Sequence, residues 1–180
     1  MKTRKGSIGN LTLRHMAINS IIAAIYIVLT VLLRPISYGP VQFRLSEVFN
    51  HLVVYHSGYF YGVVVGVLIA NLFSDFFPFD LIFGVLHTAV SLLITIVIRR
   101  KVKNEWTLMI LNAFVFSANM FLIAIEIALL SKEAFWPVFW ISWGQLFLSE
   151  LTVMLIGMPL MYLLNRRLHF QAILEGNRAS

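Results

Sequence analysis

The chain has 180 residues, 59% of them hydrophobic and 12% charged, with a mean hydropathy of +0.85. Soluble domains run near half apolar and about a quarter charged, so this composition excludes a soluble globular protein and predicts a single integral membrane domain over residues 1–180. Cysteine is absent, which removes disulfides, thiol nucleophiles and thiolate metal sites; the net charge of +6 sits in short clusters beside apolar runs, the pattern of topology signals and not of nucleic-acid binding.

A bilayer core of about 30 Å takes about 20 helical residues, and six spans are predicted. The first, about 16–33, follows Lys2, Arg4 and Lys5. It is long enough to cross and ends in Arg34-Pro35, not in a small-residue cleavage site, so it reads as a retained helix and not a signal peptide. The second, about 42–57, is short and is entered through RPISYGPVQFRLSE (34–47), a stretch far more polar than a connecting turn needs. The third covers about 59–76, the fourth about 80–98, the fifth about 106–130 and the sixth about 138–164. The breaks fall at Pro35, Gly39 and Pro40, at Ser57-Gly58, at Pro78, in the run RRKVKNE (99–105) and between Lys132 and Pro137. Eleven of the Lys and Arg residues then fall on one side and three (Arg34, Arg44, Lys132) on the other. The positive-inside rule places both termini in the cytoplasm of a multi-pass protein of the cell membrane.

Polar groups inside spans are costly and normally face a cavity or a partner. Glu47, Asp80, Glu126 and Glu150, with Asn71, Asn119 and Gln42, are the residues singled out for substrate binding. Interhelical hydrogen bonding is the bland alternative, and it weighs most on the residues beside turns, Asp75 and Asp80. Trp136, Trp140, Trp143, Phe147 and Glu150 follow one another at helical steps of four and three, an aromatic stripe leading to a carboxylate. Trp140 and Trp143 are therefore predicted as flat walls of an outward-opening pocket for a planar ligand rich in N–H donors or carrying positive charge. Gly62, Gly66, Ala70 and Ser74 recur every fourth residue and are assigned to close helix packing. Ser20 and Ala24 form a similar small pair on the first span, suited to internal packing or to a partner membrane protein. Arg44 and Glu47, three apart, can pair, which is the bland account of both; the functional account makes the segment a lid that orders on substrate capture.

No phosphate loop, HExxH or GxSxG motif occurs, and His51 and His56 are poorly spaced as chelators, so neither an ATPase, a catalytic residue nor a metal or cofactor is predicted. An intramembrane enzyme using Glu126, Glu150 or His87 and a ligand-free assembly subunit are the competing classes.

The runs SYGPVQFRLSE (37–47) and NLFSDFFPFDLIFG (71–84), with Glu126 and Glu150, resemble the QueT family, substrate-binding S components of energy-coupling-factor transporters associated with queuosine precursors. The resemblance implies an all-α bundle of six transmembrane helices with cytoplasmic termini. It also implies a transmembrane coupling protein and two cytoplasmic ATPases as partners, with Ser20 and Ala24 matching the docking motif of the first helix. A 7-deazaguanine is the implied substrate. His51, Tyr55 and His56 in the second span, His87 in the fourth and the aromatics of 132–143 depart from the family pattern, and leave another vitamin such as cobalamin as the alternative on the same scaffold.

Overall fold

The computed structural model describes residues 13–38 and 42–176. Gly39 and Pro40, the N-terminal basic residues Lys2, Arg4 and Lys5, and Arg178 lie outside the described residues. Every element among the described residues is helical. In chain order they are α1 (Leu13–Leu32), α2 (Arg34–Ser37), a 3-10 segment (Leu45–His51), α3 (Leu52–Tyr55), a second 3-10 turn (Ser57–Tyr59), α4 (Phe60–Asn71), α5 (Phe79–Arg99), α6 (Glu105–Asn119), α7 (Phe121–Leu130), α8 (Phe135–Leu168) and α9 (Phe170–Glu175). Among the described residues four stretches are long and apolar enough to cross a membrane: α1, α5, α6 with α7, and α8; Ser57–Asn71 is a shorter apolar helix.

Helix ends follow from local chemistry. Asn104 Oδ1 accepts the Thr107 N–H at 2.9 Å and caps α6. The helix α8 runs for 34 residues until His169 takes a left-handed conformation (φ 53) and returns its N–H to Asn165 O at 2.8 Å. The Asn165 side chain then receives the Phe170 N–H at 3.1 Å and starts α9. The two described ends meet, because Arg14 Nε donates to Ile173 O at 2.7 Å.

The packing of α1 on α4 explains the small-residue ladder. A methyl group at Gly62 would sit 2.8 Å from Asn19 O, and one at Gly66 would sit 2.9 Å from Tyr26 Cβ. The two backbones approach closely enough for the Gly62 N–H to bond Asn19 Oδ1 at 2.8 Å. Ser20 and Ala24 point the other way and lie exposed on α1, while Asn19, Ala23, Tyr26 and Thr30 are buried.

The predicted second span is not a regular α-helix. Residues 45–51 wind as a 3-10 helix of seven residues, unusually long for that geometry. The segment runs beside α5: Arg44 interacts electrostatically with Asp80 at one end of α5. At the other end Arg99 donates to Val54 O (2.9 Å) and Tyr55 O (2.6 Å). Such backbone is tolerated at membrane depth only where protein surrounds it, and Ser46, Glu47, Asn50, His51, Leu52 and Val53 are all buried. A methyl group at Gly157 of α8 would meet Val48 at 2.6 Å, which shows how tightly α8 covers the segment.

The predicted fifth span is two helices, α6 and α7, interrupted at Met120. Met120 N–H turns back to Ser117 O at 3.2 Å.

Candidate functional site

Three residues per turn bring every third side chain onto one edge. Arg44, Glu47 and Asn50 therefore share an edge of the 3-10 segment, and that edge faces the polar residues of four other helices. Glu47 is held from two sides: Tyr26 Oη of α1 donates to Oε1 at 2.8 Å, and Asn50 Nδ2 donates to Oε2. Ser46 donates to Thr30 Oγ1 at 2.6 Å, and Thr30 in turn donates to Tyr26 O at 2.8 Å, fixing α1 to the segment.

Arg44 stands at the centre. It is buried, lies 5.2 Å from the Tyr38 ring centroid, and donates through Nε to Ser37 O at 3.2 Å. Its charge interacts with Asp80, Tyr26, Glu47 and Tyr38. A direct ion pair with Glu47 does not form: among the described residues the ion pairs are Arg34 with Asp75 and His56 with Glu175. Although the two share an edge, Arg44 turns toward Ser37 and Tyr38 while Glu47 is already occupied by Tyr26 and Asn50. Burial raises the Tyr38 phenol above its ordinary value, and the neighbouring Arg44 opposes the rise.

The remaining acidic groups converge on Arg44. Glu126 of α7 lies beside Asp80 and within electrostatic reach of Arg44. Glu150 of α8 lies within reach of Glu47 and Arg44. Asp80 accepts from Ser74 Oγ, and its backbone carbonyl accepts Asn71 Nδ2 at 2.8 Å. Gln42 is buried at the start of the same segment.

Beneath this cluster a second polar layer is closed on itself. Thr95 Oγ1 donates to Asn112 Oδ1 at 2.6 Å, and Asn112 Nδ2 donates to Asn50 O at 3.2 Å and lies 3.2 Å from His51 Nδ1. His51 Nε2 is 3.0 Å from Met154 O; a carbonyl only accepts, so Nε2 carries the proton and Nδ1 accepts.

The upper cluster differs in being unfinished. Asn50 Oδ1, Asn71 Oδ1, Glu126 Oε2, both Glu150 carboxylate oxygens, Arg44 Nη2 and Ser37 Oγ are buried without a hydrogen-bond partner. A buried polar atom left unpaired costs about 1–3 kcal/mol, so this concentration in one place marks chemistry suited to an added molecule.

The residues singled out from the sequence fall in two groups. Glu47, Asn71, Asp80, Glu126 and Glu150 are brought together around Arg44, with Gln42 buried nearby. Asn119 is half-buried on the break between α6 and α7 and donates to Ser91 Oγ at 2.9 Å. The aromatic stripe passes from the surface inward: Trp136 and Trp140 are 65% and 57% exposed, Trp143 is half-buried, and Glu150 is buried. Trp143 stacks on Phe139 and commits its indole N–H to Ala118 O at 3.1 Å. Sequence reading passed over Tyr26 and Asn50 and gave Arg44 only a structural role beside Glu47. A third-residue spacing of Arg44, Glu47 and Asn50 was the available signal, hidden by the assumption of an α-helix.

The fold and its interior define the class: an all-helical, multi-pass membrane protein with a buried cluster of acids, amides and one arginine. The chain belongs to the QueT transporter family, which matches residues 16–166. It is similar to the queuosine precursor transporter QueT of Lactococcus lactis subsp. cremoris, with 34% identity over 157 residues, covering 82% of this chain and 90% of that protein. Membership places it among transporters and not among enzymes. No solved structure matches the chain.

Proposed function

We propose that the protein is the substrate-capture component of an energy-coupling-factor importer and binds a queuosine precursor of the 7-deazaguanine type. The observation that carries the reading is the chemistry of the unpaired buried atoms. Of those gathered around Arg44, five are acceptors, from Asn50, Asn71, Glu126 and Glu150, and one is a pure donor, Arg44 Nη2; Tyr55 Oη and Glu105 Oε1 are unpaired elsewhere. A deazaguanine offers the complement: ring and exocyclic N–H groups for a carboxylate and amides, and one carbonyl for a guanidinium. An aminomethyl substituent would add a positive charge for a second carboxylate. In this reading Glu47 and Asp80 hold the frame, Gln42 with residues 34–38 and 43–47 forms the mouth, and Trp140 and Asn119 line its rim.

The reading takes six crossings, with residues 45–55 and 57–71 supplying the second and third, and both termini in the cytoplasm of a cell-membrane protein. The bare face of Ser20 and Ala24 on α1 is offered to a transmembrane coupling protein, which would link the chain to two cytoplasmic ATPases.

Titration of the purified protein with aminomethyl-7-deazaguanine, followed by calorimetry and tryptophan fluorescence, should give saturable binding of one ligand. Absence of binding by any deazaguanine would overturn the reading, and binding of cobalamin in its place would move the same scaffold to another nutrient.

A further inference from the structure

We infer that His87 and Trp143 are positioning residues that pin the break between α6 and α7 and thereby set where Glu126 stands. This rests on the proposed role of Glu126 as a ligand contact.

An unbroken α-helix would commit Phe116 O to the N–H of residue 120 and Ala118 O to that of residue 122. The break at Met120 redirects its N–H to Ser117 O. Phe116 O is thereby freed and is met by a side chain from another helix, and Ala118 O also accepts one. His87 of α5 places Nε2 3.0 Å from Phe116 O, and Trp143 of α8 donates its indole N–H to Ala118 O at 3.1 Å. Asn119, the residue after Ala118, donates to Ser91 Oγ of α5 at 2.9 Å. The break is thus clamped by α5 on one side and α8 on the other. Side chains that re-satisfy freed backbone groups are what permits a broken helix at membrane depth.

Beyond the break, α7 is a half-helix of ten residues. Glu126 lies six residues past Met120, about 9 Å along the axis, so a small rotation at the break displaces its carboxylate. Binding groups must be held within about 0.5 Å to serve a ligand. The apolar packing of Ile123, Ala124 and Ala128 holds α7 in the bundle but is not directional, and Glu126 Oε2 has no hydrogen-bond partner of its own. The two donors fix the rotation. His87 also lies within electrostatic reach of Glu47 and Arg44, so the clamp adjoins the polar cluster without supplying one of its unpaired atoms. Trp143 accordingly acts through α7, with its polar atom already spent.

The chain has no cysteine, so paired spin labels at Leu129→Cys on α7 and Ile82→Cys on α5, both exposed positions, report the angle of α7 without any ligand. Trp143→Phe and His87→Phe keep a ring and delete the donor. Each should broaden and shift the label distance and weaken aminomethyl-7-deazaguanine binding about tenfold. On a Glu126→Gln background the same changes should weaken binding less than about twofold, because residues acting through one group are not additive. His87→Gln, which retains an N–H donor, should keep the parent distance. Parent distances in both phenylalanine variants, or equal losses with and without Glu126, would overturn the inference. Failure of both variants to fold would overturn it too, by making the pair general supports of the bundle; if only one fails, the other decides. If the parent binds no precursor, the proposed substrate falls, while the label distances still decide the clamp.

Discussion

Tyr26 and Glu47 meet through a 2.8 Å hydrogen bond that joins the regular helix α1 to the 3-10 segment. The bond is buried, and the second oxygen of the same carboxylate is taken by Asn50. Tyr26→Phe leaves Glu47 Oε1 without its donor and should cost about 1–2 kcal/mol, read as a lower thermal unfolding midpoint in detergent. The ring itself still packs against Gly66, so the protein should fold. A midpoint equal to the parent's would show that water replaces the phenol and that the tie between the two elements lies elsewhere.

Glu150 is the opposite case. Both of its oxygens are buried with no hydrogen-bond partner in the protein, the placement of an acceptor that takes its donor from a ligand. Glu150→Gln should leave apo stability equal or higher while lowering affinity for aminomethyl-7-deazaguanine about 10- to 100-fold, the worth of one charge-assisted bond. Calorimetry and a thermal scan of the same sample separate the two effects. A destabilised variant with parent affinity would make Glu150 a structural residue.

Much of the architecture was legible in the sequence because the bilayer imposes a strong apolar signal on long helices. The spans predicted near 16–33, 80–98 and 138–164 lie within or nearly within α1, α5 and α8. The stretches that depart are those where polar residues, not lipid, set the geometry. Ser46, Glu47, Asn50 and His51 bond to α1, α6 and α8 inside the protein, and a tighter winding aligns them in a way an α-helical period conceals. The break at Met120 carries no proline or glycine to announce it. It is stabilised by His87 and Trp143, which come from 29 and 25 residues away. The acids themselves were visible as misplaced charges, but their gathering around Arg44 depends on tertiary contacts that no local spacing reports.

Gly62 and Gly66 set the distance between α1 and α4. A Cβ at Gly62 meets backbone, Asn19 O at 2.8 Å and Cα at 3.0 Å, whereas at Gly66 the nearest atom is Tyr26 Cβ at 2.9 Å. Neither backbone nor a Cβ can rotate out of the way, and Gly62 meets two such fixed atoms at 3.0 Å or less where Gly66 meets one. Gly62→Val should therefore be the more damaging, costing about 1–3 kcal/mol as an overpacked contact, with loss of folded protein on size-exclusion chromatography. Equal tolerance of both valines would mean that the helices separate freely.

Ser20 and Ala24 test the other face of α1. Both are exposed, beside the exposed apolar residues Met16, Ile21 and Val28, while the buried face of the same helix holds Asn19, Ala23, Tyr26 and Thr30. Substitution on the exposed face touches neither the α4 packing nor the Glu47 tie. Leucine at either position adds bulk only where another helix would need to come close, and small residues are what permit such an approach. Ser20→Leu and Ala24→Leu should thus leave thermal stability and precursor affinity at parent values. Cellular uptake with the coupling module co-expressed should fall sharply, as should co-purification of the coupling protein. Uptake at the parent level in the double variant would remove this face from the partner interface. A parallel loss of affinity would instead show that α1 transmits its outer packing to the polar cluster through Tyr26.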